Sequence, residues 1–204
     1  VGSEMCIRDS YYVICYFAIL QAGGIVVNLS PLYVERELRH FLKDSGARIA
    51  VTLDVAELYN KFAPIVADGG LDHLIVGSML ESLDVVKRCG FWLTRRKSLA
   101  RLPADARVVR FAALGAGAGA PRPVPCDPQR DIAVLQYTGG TTGIPKAAML
   151  SHANLSANCA QVDRRLPEIE AGAGMLTLVP LFHVLAMTAA MLSLIHISEP
   201  TRPY

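Results

Sequence analysis

A glycine- and threonine-rich run is the part of this chain whose residue types are best suited to chemistry. It extends from Tyr137 to Lys146 and follows the apolar segment Ile132–Tyr137, which has the composition of a buried strand. Glycine allows positive φ values and close backbone approach, so successive N–H groups can point at one anion. Threonine hydroxyls add neutral donors, and the lysine adds a mobile charge suited to a polyphosphate. The run therefore predicts a loop that holds the phosphates of ATP.

Two other interpretations of the same run are weaker. The P-loop pattern G-x-x-x-x-G-K-[ST] of nucleotide hydrolases does not fit, because Ile144-Pro145 separates Gly143 from Lys146 and Ala147 follows the lysine. A glycine-rich turn without a ligand is the structural alternative. This alternative is disfavoured because glycine, threonine and lysine residues recur along the whole stretch from Tyr137 to Lys146. A short G-x-G alone would not distinguish a phosphate-binding loop from a turn without a ligand.

The stretch YTGGTTGIPKAAMLSHANL resembles the phosphate-loop signature of the adenylate-forming superfamily, which comprises acyl-CoA synthetases, luciferases and peptide-synthetase adenylation domains. One departure is visible, since the family usually has glycine where this chain has Ala147, and the extra methyl is expected to narrow the freedom of the backbone. The resemblance implies that the β- and γ-phosphates of ATP are held by Thr138, Gly139, Gly140, Thr141, Thr142, Gly143 and Lys146.

Three further stretches are similar to the same superfamily. The segment Leu20–Pro31 resembles its L-x-A-G-x-x-x-V-x-x-x-P helix–turn–strand, and the segment Pro180–Ala186 resembles the P-L-F/Y-H motif that borders the acyl pocket. NLSPLYVERELRHFLKDSGAR together with LQYTGGTTG is especially similar to long-chain fatty-acid–CoA ligases. The motif implies that Phe182 and His183 belong to the substrate pocket, with the imidazole at the end of a strand. A packed core histidine is the alternative for His183.

The resemblance implies a two-step ligation. A carboxylate, here a long-chain fatty acid, attacks the α-phosphate of ATP and gives an acyl-adenylate and pyrophosphate. The thiol of CoA then displaces AMP, while Mg²⁺ bridges phosphate oxygens. No catalytic residue or protein metal ligand is expected in this segment, because the family's Mg²⁺-binding glutamate and C-terminal-domain lysine would lie downstream of Met191. An aryl-acid ligase, a peptide-synthetase adenylation domain and a non-catalytic nucleotide-binding protein remain open.

Both ends of the chain are predicted to be translated sequencing adapter. Residues Met5–Ser10 and Leu192–Ile197 can be encoded by reverse-complementary DNA, and the complementarity continues outward on both sides. Residues 1–10 and 192–204 are therefore left out of fold reasoning. The rest is expected to be a piece of a longer gene and to be inactive alone. The chain in its literal form is expected to be an open reading frame that was assigned on adapter-flanked sequencing reads.

Alternating helix and strand signals predict an α/β fold, with parallel sheets flanked by helices. By resemblance this is part of the N-terminal domain of the acyl-CoA synthetase/luciferase-like fold. We expect a first α/β subdomain over 11–114, a Gly/Pro-rich linker over 115–130 and a phosphate-loop α/β segment over 131–191. The predicted strands are Ile25–Asn28, Arg48–Leu53, His73–Val76, Ile132–Tyr137, Ala147–Leu150 and Met175–Val179. The predicted helices are Tyr11–Ala22, Glu35–Asp44, one capped by Asp54, and one from His152 to Arg165 capped by Ser151.

Composition limits the partners. A formal net charge of +2 is too mild to imply nucleic acid. The cysteines are scattered without metal-ligand spacing, which favours reduced thiols and a cytoplasmic location. The segment Asp84–Leu102 has helical periodicity and six Lys or Arg residues. It is either a solvated helix face or a peripheral contact with the inner face of an anionic membrane.

Overall fold

The computed structural model describes residues 2–81, 83, 88, 90–93, 96–115, 122, 124–138, 145–165 and 179–193, with only the backbone course given for 2–9. The chain forms two compact units that alternate along the sequence. The first comprises Val1–Tyr11 and Leu29–Pro121, and the second comprises Tyr12–Asn28 and Arg122–Tyr204. The predicted division ran in linear order, whereas the structure groups Tyr12–Asn28 with the segment that contains the phosphate loop.

The α/β class and the parallel strands follow the prediction. The helices are α1 Gly2–Gln21, α2 Glu35–Ser45, α3 Ala56–Ala67 and α4 His152–Asp163, with a π helix at Ala186–Leu192. The strands are β1 Val26–Asn28, β2 Ile49–Leu53, β3 His73–Gly77, β4 Val108–Arg110, β5 Ile132–Thr138 and β6 Lys146–Ser151. Short 3₁₀ turns lie at Arg96–Ser98 and Phe111–Ala113.

The first unit is built on the parallel sheet β2-β3-β4, with β3 in the centre. Leu74 in β3 has no exposed surface and packs in a core formed by α2, α3 and the sheet. Helix α2 buries Leu38, Phe41 and Leu42, the spacing that places three side chains on one helical face. It ends at Gly46, whose φ of 69° favours glycine.

The prediction that Asp54 caps α3 is wrong. The residue before α3 is Val55, and no side chain caps that helix. The Asp54 carboxylate lies at the carboxyl end of β2, where it accepts hydrogen bonds from the Met79 backbone N–H at 2.7 Å and the Ser78 hydroxyl at 3.0 Å. A buried carboxylate needs such partners, and here the turn after β3 supplies them in place of the helix.

The second unit is built on the mixed sheet β1-β5-β6. Strand β1 pairs in parallel with β5, so that Val26 lies opposite Val134. Strand β6 pairs with β5 in the antiparallel direction, from Ile132 opposite Ser151 to Thr138 opposite Lys146. The buried side chains of α1, α4 and the π helix pack with this sheet in one core. The returning strand predicted after the phosphate loop is confirmed.

Helix α4 begins as the sequence predicted. The Ser151 hydroxyl accepts a hydrogen bond from the Asn154 backbone N–H at 3.2 Å, and the Asn154 side chain accepts one from the Ser151 N–H at 3.0 Å. This reciprocal pair satisfies free donors of the first helical turn. None of the helices in the described part of the chain is both long and apolar enough to cross a membrane.

Three predictions fall wholly or partly outside the described residues. They are the first part of the basic segment 84–102 with positions 89, 94 and 95, the core of the linker over 115–130, and the strand Met175–Val179 apart from its last residue. The helix predicted for Tyr11–Ala22 is present, and it begins earlier in the chain, at Gly2.

Candidate functional site

The predicted phosphate loop connects two paired strands. Thr138 is the last residue of β5 and Lys146 the first of β6, and the two lie directly opposite each other. The Thr138 hydroxyl donates a hydrogen bond to the Lys146 carbonyl at 3.3 Å. The structure therefore brings together the two outermost members of the predicted set. Gly139, Gly140, Thr141, Thr142 and Gly143 lie outside the described residues.

The location of these two residues suits a ligand site. Strands β1 and β5 run in parallel, and their carboxyl ends reach the same edge of the sheet at Asn28 and Thr138. In open α/β sheets, ligands bind beyond the carboxyl ends of parallel strands. The side chains of Thr138 and Lys146 are both exposed at this edge. A ligand in the loop would thus meet a hydroxyl and an ammonium group from two adjoining strands.

Lys146 carries the charge of the site. Within the described residues, its ammonium group has no hydrogen-bond or ion-pair partner. A lysine with a long flexible side chain and no competing carboxylate is suited to a mobile polyphosphate. In the part of the chain that the structure describes, no three His, Cys, Asp or Glu side chains come together as metal ligands.

Ala147 fits its position without strain. It lies inside β6 opposite Tyr137, and no non-glycine residue in the described part of the chain has a positive φ. An extended strand accepts a methyl group as readily as a hydrogen atom. Alanine in place of the glycine usual in the family was expected to restrict the backbone. No such restriction is evident in β6, the strand that contains Ala147.

The second pair of predicted residues lies on another element of the same unit. Phe182 is half-buried and His183 is exposed, in a turn that leads into the π helix. The His183 N–H donates to the Pro180 carbonyl at 2.9 Å, and Nδ1 accepts from the Leu185 N–H at 3.4 Å. Because Nδ1 is an acceptor, the neutral ring carries its proton on Nε2.

His183 has no hydrogen bond to the described residues of the phosphate loop. Its hydrogen bonds stay within its own segment and do not reach Thr138 or Lys146. The ring is exposed in this structure and is not packed in the core of the second unit. What remains open to a ligand is the Nε2–H group, which can donate a hydrogen bond to a carboxylate.

A buried polar cluster, which was not predicted from the sequence, lies behind this edge. The Asn28 side chain is 4% exposed and hydrogen-bonds to Tyr12, Gln136 and Met187. The signal that could have revealed it was a polar amide within each of two apolar strands, as the last residue of Val26–Asn28 and two residues before the end of Ile132–Thr138. Their pairing could not be seen, because the two segments lie far apart in the chain.

A groove of about 480 Å³ lies between α4 and the π helix. One side presents the polar side chains of Asn154, Asn158 and Gln161, at the spacing of one helical face. The other side presents Val184 and Thr188 of the segment that follows His183. None of the predicted site residues that the structure describes lines this groove.

No reactive thiol accompanies the site in the described part of the chain. Burial raises the pKa of Cys15 to about 11, so this thiol stays protonated at neutral pH. Burial is also the main reason that the pKa of Cys159 lies above its usual value. Chemistry at this site therefore depends on binding and on charge more than on a thiol nucleophile from these positions.

Comparison with known proteins agrees with this arrangement. A family model described as AMP-binding enzyme matches residues 6–198. The long-chain-fatty-acid–CoA ligase of Bacillus subtilis is 37% identical over 183 residues, which is 88% of this chain and 32% of the relative. The chain thus spans about a third of the length of the curated relatives that it matches. The matched range includes the inner residues of both predicted adapter tails, whose origin stays a prediction.

Solved structures show the same fold. An anthranilate CoA ligase in complex with anthranoyl-AMP superposes with a TM-score of 0.72 at 17% identity, covering 93% of this chain and 32% of that one. ATP-bound MatB from Rhodopseudomonas palustris superposes with a TM-score of 0.56 at 26% identity, covering 92% and 31%. With a family model matched over nearly its whole length, and a hairpin that frames the family's phosphate-loop signature, the chain belongs to the AMP-binding enzyme family.

Proposed function

We propose that this chain is part of an ATP-dependent acid–CoA ligase that activates a long-chain fatty acid as its acyl-adenylate and transfers it to CoA. The observation that carries the proposal is the hairpin of β5 and β6, which holds Thr138 and Lys146 opposite each other at the edge where parallel strands end. Membership of the AMP-binding enzyme family supports the class of reaction. The long-chain acid is supported by the name of the Bacillus relative.

Each predicted residue has a role in this proposal. The backbone and hydroxyl groups from Thr138 to Gly143 hold the β- and γ-phosphates, and Lys146 neutralises part of their charge. The adenylation step needs positioning and charge neutralisation more than covalent help, so these donors are sufficient without a nucleophile. Mg²⁺ would enter with ATP and would neutralise further phosphate charge, alongside Lys146. Phe182 and His183 would border the acid, with Nε2 of the imidazole facing the carboxylate.

The experiment is pyrophosphate exchange by the full-length protein of the source gene. Labelled pyrophosphate enters ATP only when a carboxylic acid is adenylated reversibly. A panel of short, medium and long fatty acids, aryl acids and amino acids then identifies the substrate class. We expect exchange that increases with fatty-acid chain length. Exchange restricted to aryl acids or to amino acids would replace the fatty-acid assignment with one of those two alternatives.

Lys146→Ala tests the role of the phosphate loop in the same assay. Removing one charge-assisted contact is expected to raise the KM for ATP about 10- to 100-fold, because such contacts contribute about 1.5–3 kcal/mol. Lys43→Ala is the matched control, since Lys43 is an exposed lysine in the last turn of α2. Equal effects of the two substitutions would contradict the assignment of Lys146.

A non-catalytic nucleotide-binding protein is the competing function. The sequence feature that suggested a non-catalytic protein was Ala147. This residue lies in a regular strand position and so gives no structural reason for lost activity. ATP binding measured by calorimetry, combined with no exchange for any acid in the panel, would favour this alternative over the ligase.

We also propose a cytoplasmic location with peripheral contact to the inner face of the membrane. Trp92 is 50% exposed and Leu93 is 73% exposed, and the Arg96 guanidinium lies 5.0 Å from the centre of the Trp92 ring. Exposed apolar side chains beside cationic ones suit an anionic lipid surface. Co-sedimentation with vesicles tests it: the full-length protein should bind phosphatidylglycerol vesicles, and Trp92→Ala with Leu93→Ala should weaken this. Equal binding to uncharged vesicles would contradict it.

A further inference from the structure

Asn28 joins four elements of the second unit through one side chain. It is the last residue of β1 and is 4% exposed. Its Nδ2 donates to Gln136 Oε1 in β5 at 3.0 Å and to Met187 Sδ in the π helix at 3.4 Å. Its Oδ1 accepts from the Tyr12 hydroxyl in α1 at 3.0 Å. Both amide hydrogens and the amide oxygen are therefore used.

This amide lies within an apolar core. Its neighbours include Val26, Val134 and Met187, and the last two have no exposed surface. An apolar side chain would fill such a place without the cost of burying an amide. A fully bonded buried amide instead favours one arrangement of the elements that it joins over other packings of the same core. Asn28 therefore fixes geometry in addition to filling volume.

The two partners of Nδ2 lead to the two halves of the predicted site. Gln136 precedes Thr138 by two residues, so both side chains point to the same side of β5. Met187 donates its backbone N–H to the His183 carbonyl at 2.9 Å. Asn28 is thus hydrogen-bonded directly to the strand that enters the phosphate loop. It is also bonded to Met187, which in turn is hydrogen-bonded to His183.

We propose that Asn28 is a positioning residue for adenylation. Its amide ties the strand that enters the phosphate loop to the π helix that follows His183, which holds the phosphates of ATP and the carboxylate of the acid in one relative geometry. Asn28 touches neither substrate and acts through Gln136 and Met187. This inference rests on the proposed function for the roles of Lys146 and His183.

The test is a kinetic comparison in the full-length protein. A purely structural role of Asn28 would lower the fraction of active enzyme, which reduces the apparent kcat and leaves KM unchanged. A positioning role changes KM itself. For Asn28→Ala we expect the KM values for ATP and for the acid to rise about tenfold each, the range expected for loss of buried hydrogen bonds. Calorimetry should give the same rise in the Kd of ATP.

Two further variants sharpen this result. Gln136→Met removes the acceptor of the hydrogen bond from Asn28 Nδ2 while keeping a side chain of similar volume. The double variant with Asn28→Ala should have KM values no higher than those of the more affected single variant, because both substitutions remove this same bond. Leu155→Val is the structural control, since Leu155 lies in the same core without taking part in the Asn28 hydrogen bonds. It should lower Tm and leave both KM values within twofold of the wild type.

The outcomes separate this inference from the proposed function. KM and Kd values of Asn28→Ala within twofold of the wild type would overturn the positioning role, as would an equal change in Leu155→Val. A wild-type protein that binds ATP but exchanges with no acid would overturn the ligase, while the Kd of ATP would still decide the role of Asn28. A wild-type protein that binds no ATP would overturn both.

Discussion

The two sheets of this chain are alike in size and differ in what happens at the ends of their strands. Within the residues that the structure describes, each has three strands. In the parallel sheet β2-β3-β4, the polar group at the end of β2 is Asp54, and its carboxylate is bound by backbone and hydroxyl donors of the turn after β3. In the mixed sheet β1-β5-β6, strand β5 ends in Thr138 and the chain returns at Lys146, with both side chains exposed.

Two sheets of similar size can therefore differ in whether the groups at their strand ends are available to a ligand. A buried carboxylate whose oxygens accept hydrogen bonds from the neighbouring turn is held by the fold and is not accessible to a ligand. A strand end that opposes a lysine across a hairpin keeps its donors available, and the second sheet supports it from behind through Asn28. We therefore regard the first sheet as structural support and the second as the carrier of binding. Three substitutions test this comparison.

The largest effect is expected in the centre of the parallel sheet. Leu74→Ala removes a fully buried side chain from β3 and should lower the free energy of unfolding by about 2–5 kcal/mol, through lost transfer energy and the cavity left behind. Urea unfolding followed by circular dichroism measures this. The Kd of ATP for the folded protein should stay within twofold. Leu32→Ala, at a side chain that is 85% exposed, is the control.

An intermediate effect is expected at the end of β2. Asp54→Ala leaves the Met79 N–H without its acceptor and should lower the free energy of unfolding by about 1–3 kcal/mol. Asp72→Ala is the comparison, because this exposed carboxylate pairs with Arg48 and should matter little. If Asp54→Ala weakened ATP binding while leaving Tm unchanged, the parallel sheet would take part in binding and the comparison would fail.

The smallest effect is expected at Ala147. Ala147→Gly restores the residue usual in the family and should lower the free energy of unfolding by about 0.5–1 kcal/mol, because glycine loses more backbone freedom on folding. Ala148→Gly, one residue further along β6, should cost a similar amount. The Kd of ATP should stay within twofold in both variants. A tenfold gain in affinity in Ala147→Gly alone would show that the methyl group limits the loop.

Local patterns allowed much of this fold to be predicted. The apolar face of α2 with Gly46 at its end, the strand before the phosphate loop, the return of β6 and the Ser151 cap all involve residues within a few positions of one another. Their physics is contained in short windows of sequence, so periodicity, glycine and cap residues were sufficient to locate them.

What failed was non-local. Asp54 lies just before α3, where a capping residue would be expected. Its carboxylate instead accepts a hydrogen bond from the turn after β3, which comes close to it only in the folded chain. The grouping of Tyr12–Asn28 with the segment that contains β5 depends on strand pairing between distant residues. The bonds of Asn28 depend on that pairing in turn. A single sequence does not specify which distant strand a short strand such as β1 will join.

The pairing of β1 with β5 also has a consequence for synthesis. Asn28 and Gln136 are 108 residues apart, and at about 5–20 residues per second a ribosome needs about 5–20 seconds to make the second after the first. During that time β1 has no native partner, and its edge and the apolar residues beside it are available to other chains. The segment that carries β1 is therefore open to association with other chains, or to capture by chaperones, until β5 leaves the exit tunnel, and slower elongation lengthens that interval.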